Sequence, residues 1–363
     1  MAKKPGAMVP PAAVSGGAED AASVEGVPVP SFEWMGLSAE WGTRVTPGEH
    51  GLRLGDLNVG IYGEVPEHWN DQTRRPRGAL PRPGVPPLPY NLRSKHQMWA
   101  DCAADLYEEA IQRRWIPATD VPWGSVKPLP EDVERAVCQV ATELMQYANT
   151  EIEIITYWLD QMSYGYYEVK QFLATATFDC TRMIEALRKR ALCNGGGLGM
   201  ESRGIVNRMI LESRGGWTES VAYLYLLRGT YTMHVLRGLL FAAHNDAERF
   251  IYAKYIEDHA RHLTYGYDHL KYAVAHSEDV ADIMQTMLTI GEAMMAGELE
   301  TATIRPALAI IFGGGIQGGR TVGMETYLHL AGDFARDYIA LCDWIGVPRA
   351  DNLHPLIKKY LEY

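Results

Sequence analysis

From about Ser94 to the end of the chain, apolar side chains recur at alternating steps of three and four, the spacing that lines one face of a helix packed against others. Breaks rich in glycine or proline interrupt this pattern at Pro117 to Pro130, Cys193 to Gly199, Gly215-Gly216, Gly313 to Gly319 and Pro348 to Pro355. The stretches between them predict helices at 95–114, 131–161, 164–192, 201–213, 217–244, 246–276, 279–296, 299–312, 323–345 and 354–362. Entry signals agree: Pro130-Glu131-Asp132 places acids in a first turn, and Asn245-Asp246 precedes a helical pattern. The expected fold class is all-α.

Upstream the pattern disappears. Residues 1–30 are mainly Ala, Gly, Pro and Val with few large side chains, too little apolar surface to offset the entropy of ordering, and a disordered arm is expected there. Residues 31–93 carry scattered aromatics and proline runs such as Pro81 to Pro89, which forbid regular helix. That stretch reads as an extended segment lying on a partner or on the chain's own helices. A helical bundle is expected over 94–276, with the helices of 277–363 packed on it.

Composition narrows the function classes. The chain has 363 residues, 47% of them apolar, enough for a sizeable core. A net charge of -11 without a Lys/Arg cluster argues against a nucleic-acid partner, whose phosphates are held by clustered cations. Cys102, Cys138, Cys180, Cys193 and Cys342 are too far apart for a close-spaced zinc motif or a disulfide scaffold, which fits a reducing compartment. No apolar run is long enough for a membrane span and no secretory h-region is seen, so a cytoplasmic protein without membrane contact is expected. The glycine runs at 195–199 and 313–319 lack the Lys-Ser/Thr end of a phosphate loop and read as helix terminators.

The chemistry lies on four long stripes. They run through Leu144, Tyr147, Glu151, Ile154 and Trp158; Val169, Phe172, Ala176, Cys180, Met183 and Leu187; Val221, Leu224, Arg228, Tyr231 and Val235; and Tyr252, Tyr255, His259, His262 and Gly266. Glu151, Arg228, His259 and His262 stand where apolar residues are due, so polar groups face the middle. Two of the stripes carry related pentapeptides, Asp179-Cys180-Thr181-Arg182-Met183 and Asp258-His259-Ala260-Arg261-His262. A charged inward residue precedes each, Glu151 ahead of Cys180 and Arg228 ahead of His259, which makes an internal repeat of two helix pairs.

This repeat, with Glu168 to Thr175 before the first pentapeptide and Tyr265-Gly266 after the second, resembles the ferritin-like diiron and dimanganese carboxylate proteins. That group includes ribonucleotide reductase small subunits and bacterial multicomponent monooxygenases. In them each helix pair gives one Glu and one Glu-x-x-His, commonly within Asp-Glu-x-Arg-His, around a four-helix core. The resemblance spans roughly residues 95 to 275 and implies a ferritin-like four-helix bundle with extra helices and an extended N-terminal segment.

At the ligand places the chain departs from the pattern. They become Glu151, Cys180 and Met183 in the first half and Arg228, His259 and His262 in the second, of which Glu151 and His262 alone keep the expected type. For the first of these, Asn149 and Glu153 are close in register. A pair of hard divalent ions needs about four carboxylates, and Arg228 neither ligates nor loses its charge. An Arg228–Glu151 pair in the metal's place is expected, Asp179 and Asp258 being other partners for the guanidinium. Asp179, Arg182, Asp258 and Arg261, which the resemblance assigns to hydrogen bonding behind the ligands, survive and would tie helices together.

Alternatives stay open. His259 and His262 read either as core histidines bonded to Asp179 or Asp258, or, with Glu151 and Cys180, as an atypical zinc site that Arg228 opposes. Cys180 reads either as a small core hydrophobe or as a thiolate activated by Arg228. The resemblance implies a non-catalytic subunit of a heteromeric oxygenase with no cofactor of its own. The diiron site is expected in a ferritin-like paralogue, with a reductase or regulatory protein as further partner. The other readings are a stand-alone oxidoreductase with an atypical metal at His259, His262 and Glu151, and a ligand-binding pseudoenzyme.

Overall fold

The computed structural model describes residues 30–37, 40–193 and 196–363. The arm expected over residues 1–30 lies, apart from Pro30, outside them, as does Gly195 of the first glycine run. Among the described residues there is no β-strand, only isolated bridges such as His68 with Ser94 and Leu92 with Met162. The chain divides into two units, Met1–Trp41 and Gly42–Tyr363. The described part of the first holds a single 3-10 turn, Glu33–Gly36, and its Phe32, Trp34, Met35 and Trp41 are exposed.

The second unit is an all-helical bundle. Its α-helices are α1 (Ala103–Gln112), α2 (Glu131–Gln161), α3 (Tyr167–Leu192), α4 (Ile205–Glu212), α5 (Trp217–Val221), α6 (Thr230–Phe241), α7 (Asp246–His276), α8 (Val280–Leu299), α9 (Ile304–Gly313), α10 (Ile316–Gly318), α11 (Met324–Ile345) and α12 (Pro355–Lys358). Acids in the first turn of α2 oppose the positive end of the helix, and Asn245 caps α7 by accepting from the Glu248 amide at 2.9 Å. Helices α2 and α3 pack together, α7 packs on α3 and α6, and α8, α9 and α11 enclose the other side. Among the described residues no helix is long and apolar enough to cross a membrane.

Where a single helix was expected over 217–244, the structure has α5 and α6 joined by a π-helical segment, Ala222–Gly229. Hydrogen bonding one residue further back widens the helix there and rotates the turns beyond it. Every side chain of the segment is buried, and Thr230 Oγ1 satisfies the Leu226 carbonyl at 2.6 Å. Close approach to α7 is made through Gly266, where a Cβ would lie 2.6 Å from the Tyr225 Cβ.

From Gly42 to Arg93 the chain has short turns and little regular structure, and it lies on its own helices. Arg77, 5% exposed, donates to Glu168 of α3, to the Gly165 carbonyl at 2.9 Å and to Asn58 Oδ1 at 2.9 Å. Trp69 is buried with its ring against Gly165. Tyr62 is half-buried beside Gly78, so neither aromatic waits for a partner.

Candidate functional site

Helices α3 and α7 each carry Asp and Arg one turn apart, which puts both side chains on one face. The two pairs interlock. Arg182 Nη2 donates to Asp179 Oδ1 on its own helix and reaches Asp258 Oδ2 at 3.2 Å; Arg261 Nη2 donates to Asp258 Oδ1 and reaches Asp179 Oδ2 at 3.1 Å. Trp115, just after α1, donates its indole N–H to Asp258 Oδ2 at 2.9 Å and accepts from Arg182 Nη1 through its carbonyl. All four charged side chains are buried. Burial alone would raise the Asp179 carboxyl, but His262, Arg182 and Arg261 hold it below the ordinary carboxylate range.

Beside this brace lies a second group, made in part by the residues that directly follow Asp179 and Arg261. Glu151 of α2, Cys180 of α3 and His262 of α7 bring one oxygen, the sulfur and one ring nitrogen within 4.8 Å of one another, all buried. His262 Nδ1 is 2.8 Å from Glu151 Oε1, at ion-pair distance but without hydrogen-bond alignment, and its Nε2 is 3.4 Å from Asp179 Oδ2. Tyr225, carried by the π segment, donates to Glu151 Oε1 at 2.9 Å. Burial pushes the Glu151 carboxyl up, and the charge of His262, helped by the Tyr225 hydroxyl, outweighs it to hold it at about 2. Burial pushes the His262 ring down, and Glu151 with Asp179 raises it to about 10.

Glu151, Asp179 and Asp258 face Arg182, Arg261 and His262, three acidic groups against three basic ones, with burial and the Asp179 charge raising the Asp258 carboxyl above its ordinary value. A buried ion cluster is tolerated when its charges and hydrogen bonds compensate in this way. The cluster joins α2, α3 and α7, with α1 attached through Trp115.

Arg228 is buried, but it does not take the metal's place. Its Nη1 donates to Asn207 Oδ1 on α4 and its Nη2 to the Tyr147 carbonyl at 3.4 Å, with the guanidinium 4.9 Å from the Tyr147 ring centre. The expected pairing with Glu151, Asp179 or Asp258 is not made. The widened helix turns Tyr225 toward Glu151 and carries Arg228 toward α4. His262 therefore supplies the positive charge beside Glu151. His259 does not bond to either aspartate; its Nε2 meets the Gly229 carbonyl at 3.0 Å, and burial lowers its ring to about 4, leaving it neutral. Met183 is core. Cys180 is not activated by Arg228: burial and the Glu151 and Asp179 charges raise its thiol well above the ordinary value.

A second polar cluster escaped the sequence reading. Two turns before Glu151 on α2, Glu143 is fully buried and neither oxygen has a hydrogen-bond partner, Ser202 nearby turning to Gln146. Glu298 of α8 is equally buried and accepts from Tyr147 at 2.7 Å. Burial and the Glu298 charge push Glu143 up to about 7, against Ser202 and Arg228. The spacing Glu143, Tyr147, Glu151 on one helix face was the signal available.

A diiron pair does not fit these residues. The six ligand places offer one carboxylate, Glu151, while Asp179 and Asp258 are committed to Arg182 and Arg261. Those aspartates could not turn to a metal without stranding two buried guanidiniums. No protein-family model matches the chain, and no curated protein sequence matches it either.

Proposed function

We propose that this chain is a ferritin-like subunit without a diiron site of its own, which supports a diiron oxygenase paralogue in a heteromeric oxidoreductase. The observation that carries the reading is the interlocked pair of Asp-x-x-Arg motifs on α3 and α7, placed next to Glu151 and His262. Two equivalent helix pairs meeting around such a brace are what a duplicated ligand framework leaves when its carboxylates have been replaced. Cys180, Met183 and Arg228 occupy places that hard metal ions could not use. The bundle then braces the active copy, shapes its substrate tunnel and offers surface to a reductase or regulatory protein.

The stand-alone oxidoreductase reading is favoured by one observation, the grouping of Glu151, Cys180 and His262. It is opposed by their burial, since a reacting substrate must reach the metal. Co-expression with a ferritin-like protein of the same genome that keeps both Glu-x-x-His motifs separates the two, read by native mass spectrometry and oxygen consumption. A heteromer whose activity needs both chains is expected. A chain that stays monomeric beside that protein and oxidises substrate unaided would overturn the subunit reading.

A further inference from the structure

We infer that Glu151, Cys180 and His262 form a three-ligand binding site for one zinc-class divalent cation, which links α2, α3 and α7 and keeps its fourth position for water. The three donor atoms lie within 4.8 Å of one another and belong to three different helices. In a tetrahedral zinc site with bonds of about 2.0–2.3 Å, ligand atoms stand roughly 3.3–3.6 Å apart, so small side-chain movements close the group on an ion. Cysteine, histidine and carboxylate are together a donor set for zinc and not for a hard iron pair.

A second observation points to a ligand. His262 Nδ1 is fully buried and makes no hydrogen bond, although it faces Glu151 and lies in the triad, while the other ring nitrogen is backed by Asp179 Oδ2 at 3.4 Å. A carboxylate behind the far nitrogen is how a ligating histidine is commonly oriented. Asp179 is itself fixed by Arg182 and Arg261, and Glu151 by the Tyr225 hydroxyl. Of the neighbouring guanidiniums, Arg182 and Arg261 are neutralised by Asp179 and Asp258, and Arg228 is tied to Asn207 and the Tyr147 carbonyl.

Three donor atoms grouped within 4.8 Å form the shell of a single ion. All three residues are buried, so loading accompanies folding. This inference stands on the triad and not on the subunit reading: zinc without a paralogue, or a paralogue without zinc, would separate their failures.

The test is refolding of the full chain with Co2+ as a spectroscopic stand-in for zinc. One cobalt per chain is expected, with a thiolate-to-cobalt charge-transfer band that Cys180→Ser abolishes and Cys193→Ser, at the exposed cysteine, leaves intact. A band that survives Cys180→Ser, or that disappears with Cys193→Ser, would overturn the site, as would the absence of any stoichiometric binding. Because Cys180→Ser is a core substitution, X-ray absorption of the zinc-loaded unmodified chain provides an independent reading. One sulfur and otherwise nitrogen and oxygen neighbours are expected, and a zinc shell without sulfur would contradict the proposal.

Discussion

Arg261 shows how a buried charge is made tolerable: its guanidinium bridges Asp258 on its own helix and Asp179 across the interface. Removing it leaves three buried carboxylates against two cations, and Arg261→Ala is expected to destabilise the fold by about 3–5 kcal/mol in denaturant unfolding, where a loss under about 1 kcal/mol would refute the brace. Glu143 is the opposite case, a carboxyl held without a partner at about 7 against an ordinary 4.5. The folded chain binds that proton more tightly than the unfolded one, so the contribution is present below pH 4.5 and is lost as pH rises to about 7. Glu143→Gln should therefore leave stability near pH 4.5 unchanged and raise it by up to about 3 kcal/mol near pH 8. An unchanged pH profile in the variant would contradict this. Among single residues, the Asp-x-x-Arg repeat was legible because one-turn spacing fixes its geometry. Glu143 and Glu298 were not, since a lone acid in an apolar stripe has the same letter whether it is buried or solvated.

The long helices were legible as elements. The patterns at 131–161 and 246–276 coincide with α2 and α7, because caps and first-turn acids mark their starts. The π segment Ala222–Gly229 was not legible, because the stripe Leu224, Arg228, Tyr231 fits a regular helix. That single element explains why Arg228 meets Asn207 while Tyr225 meets Glu151. Gly266 is the point where α7 lets the widened helix in. Gly266→Ala would place a methyl 2.6 Å from Tyr225, with an expected cost of about 1–3 kcal/mol. Gly297→Ala, exposed on α8 with nothing within 4 Å of its Cβ position, should stabilise by about 0.5–1 kcal/mol. Equal effects in thermal unfolding would contradict this account of the approach.

At the scale of the molecule, the irregular segment expected to need a partner proves to be two things. From Gly42 onward it belongs to the bundle, held by Arg77 on Glu168 and by buried Trp69, so its aromatics avoid water on the chain's own helices and not on a second protein. Phe32, Trp34, Met35 and Trp41 are 62–91% exposed, and the proposed subunit reading assigns them to the contact with a paralogue. Deleting residues 31–41 should leave unfolding of the bundle unchanged and weaken the heteromer; a destabilised bundle with intact association would reverse that assignment. The central claim, that the ion cluster of Glu151, Asp179, Asp258, Arg182, Arg261 and His262 stands where a diiron pair cannot, is tested most directly by metal content. Elemental analysis of the chain purified alone from iron-supplemented culture should find less than one equivalent of iron or manganese per chain. Two tightly held iron or manganese ions per chain would contradict it.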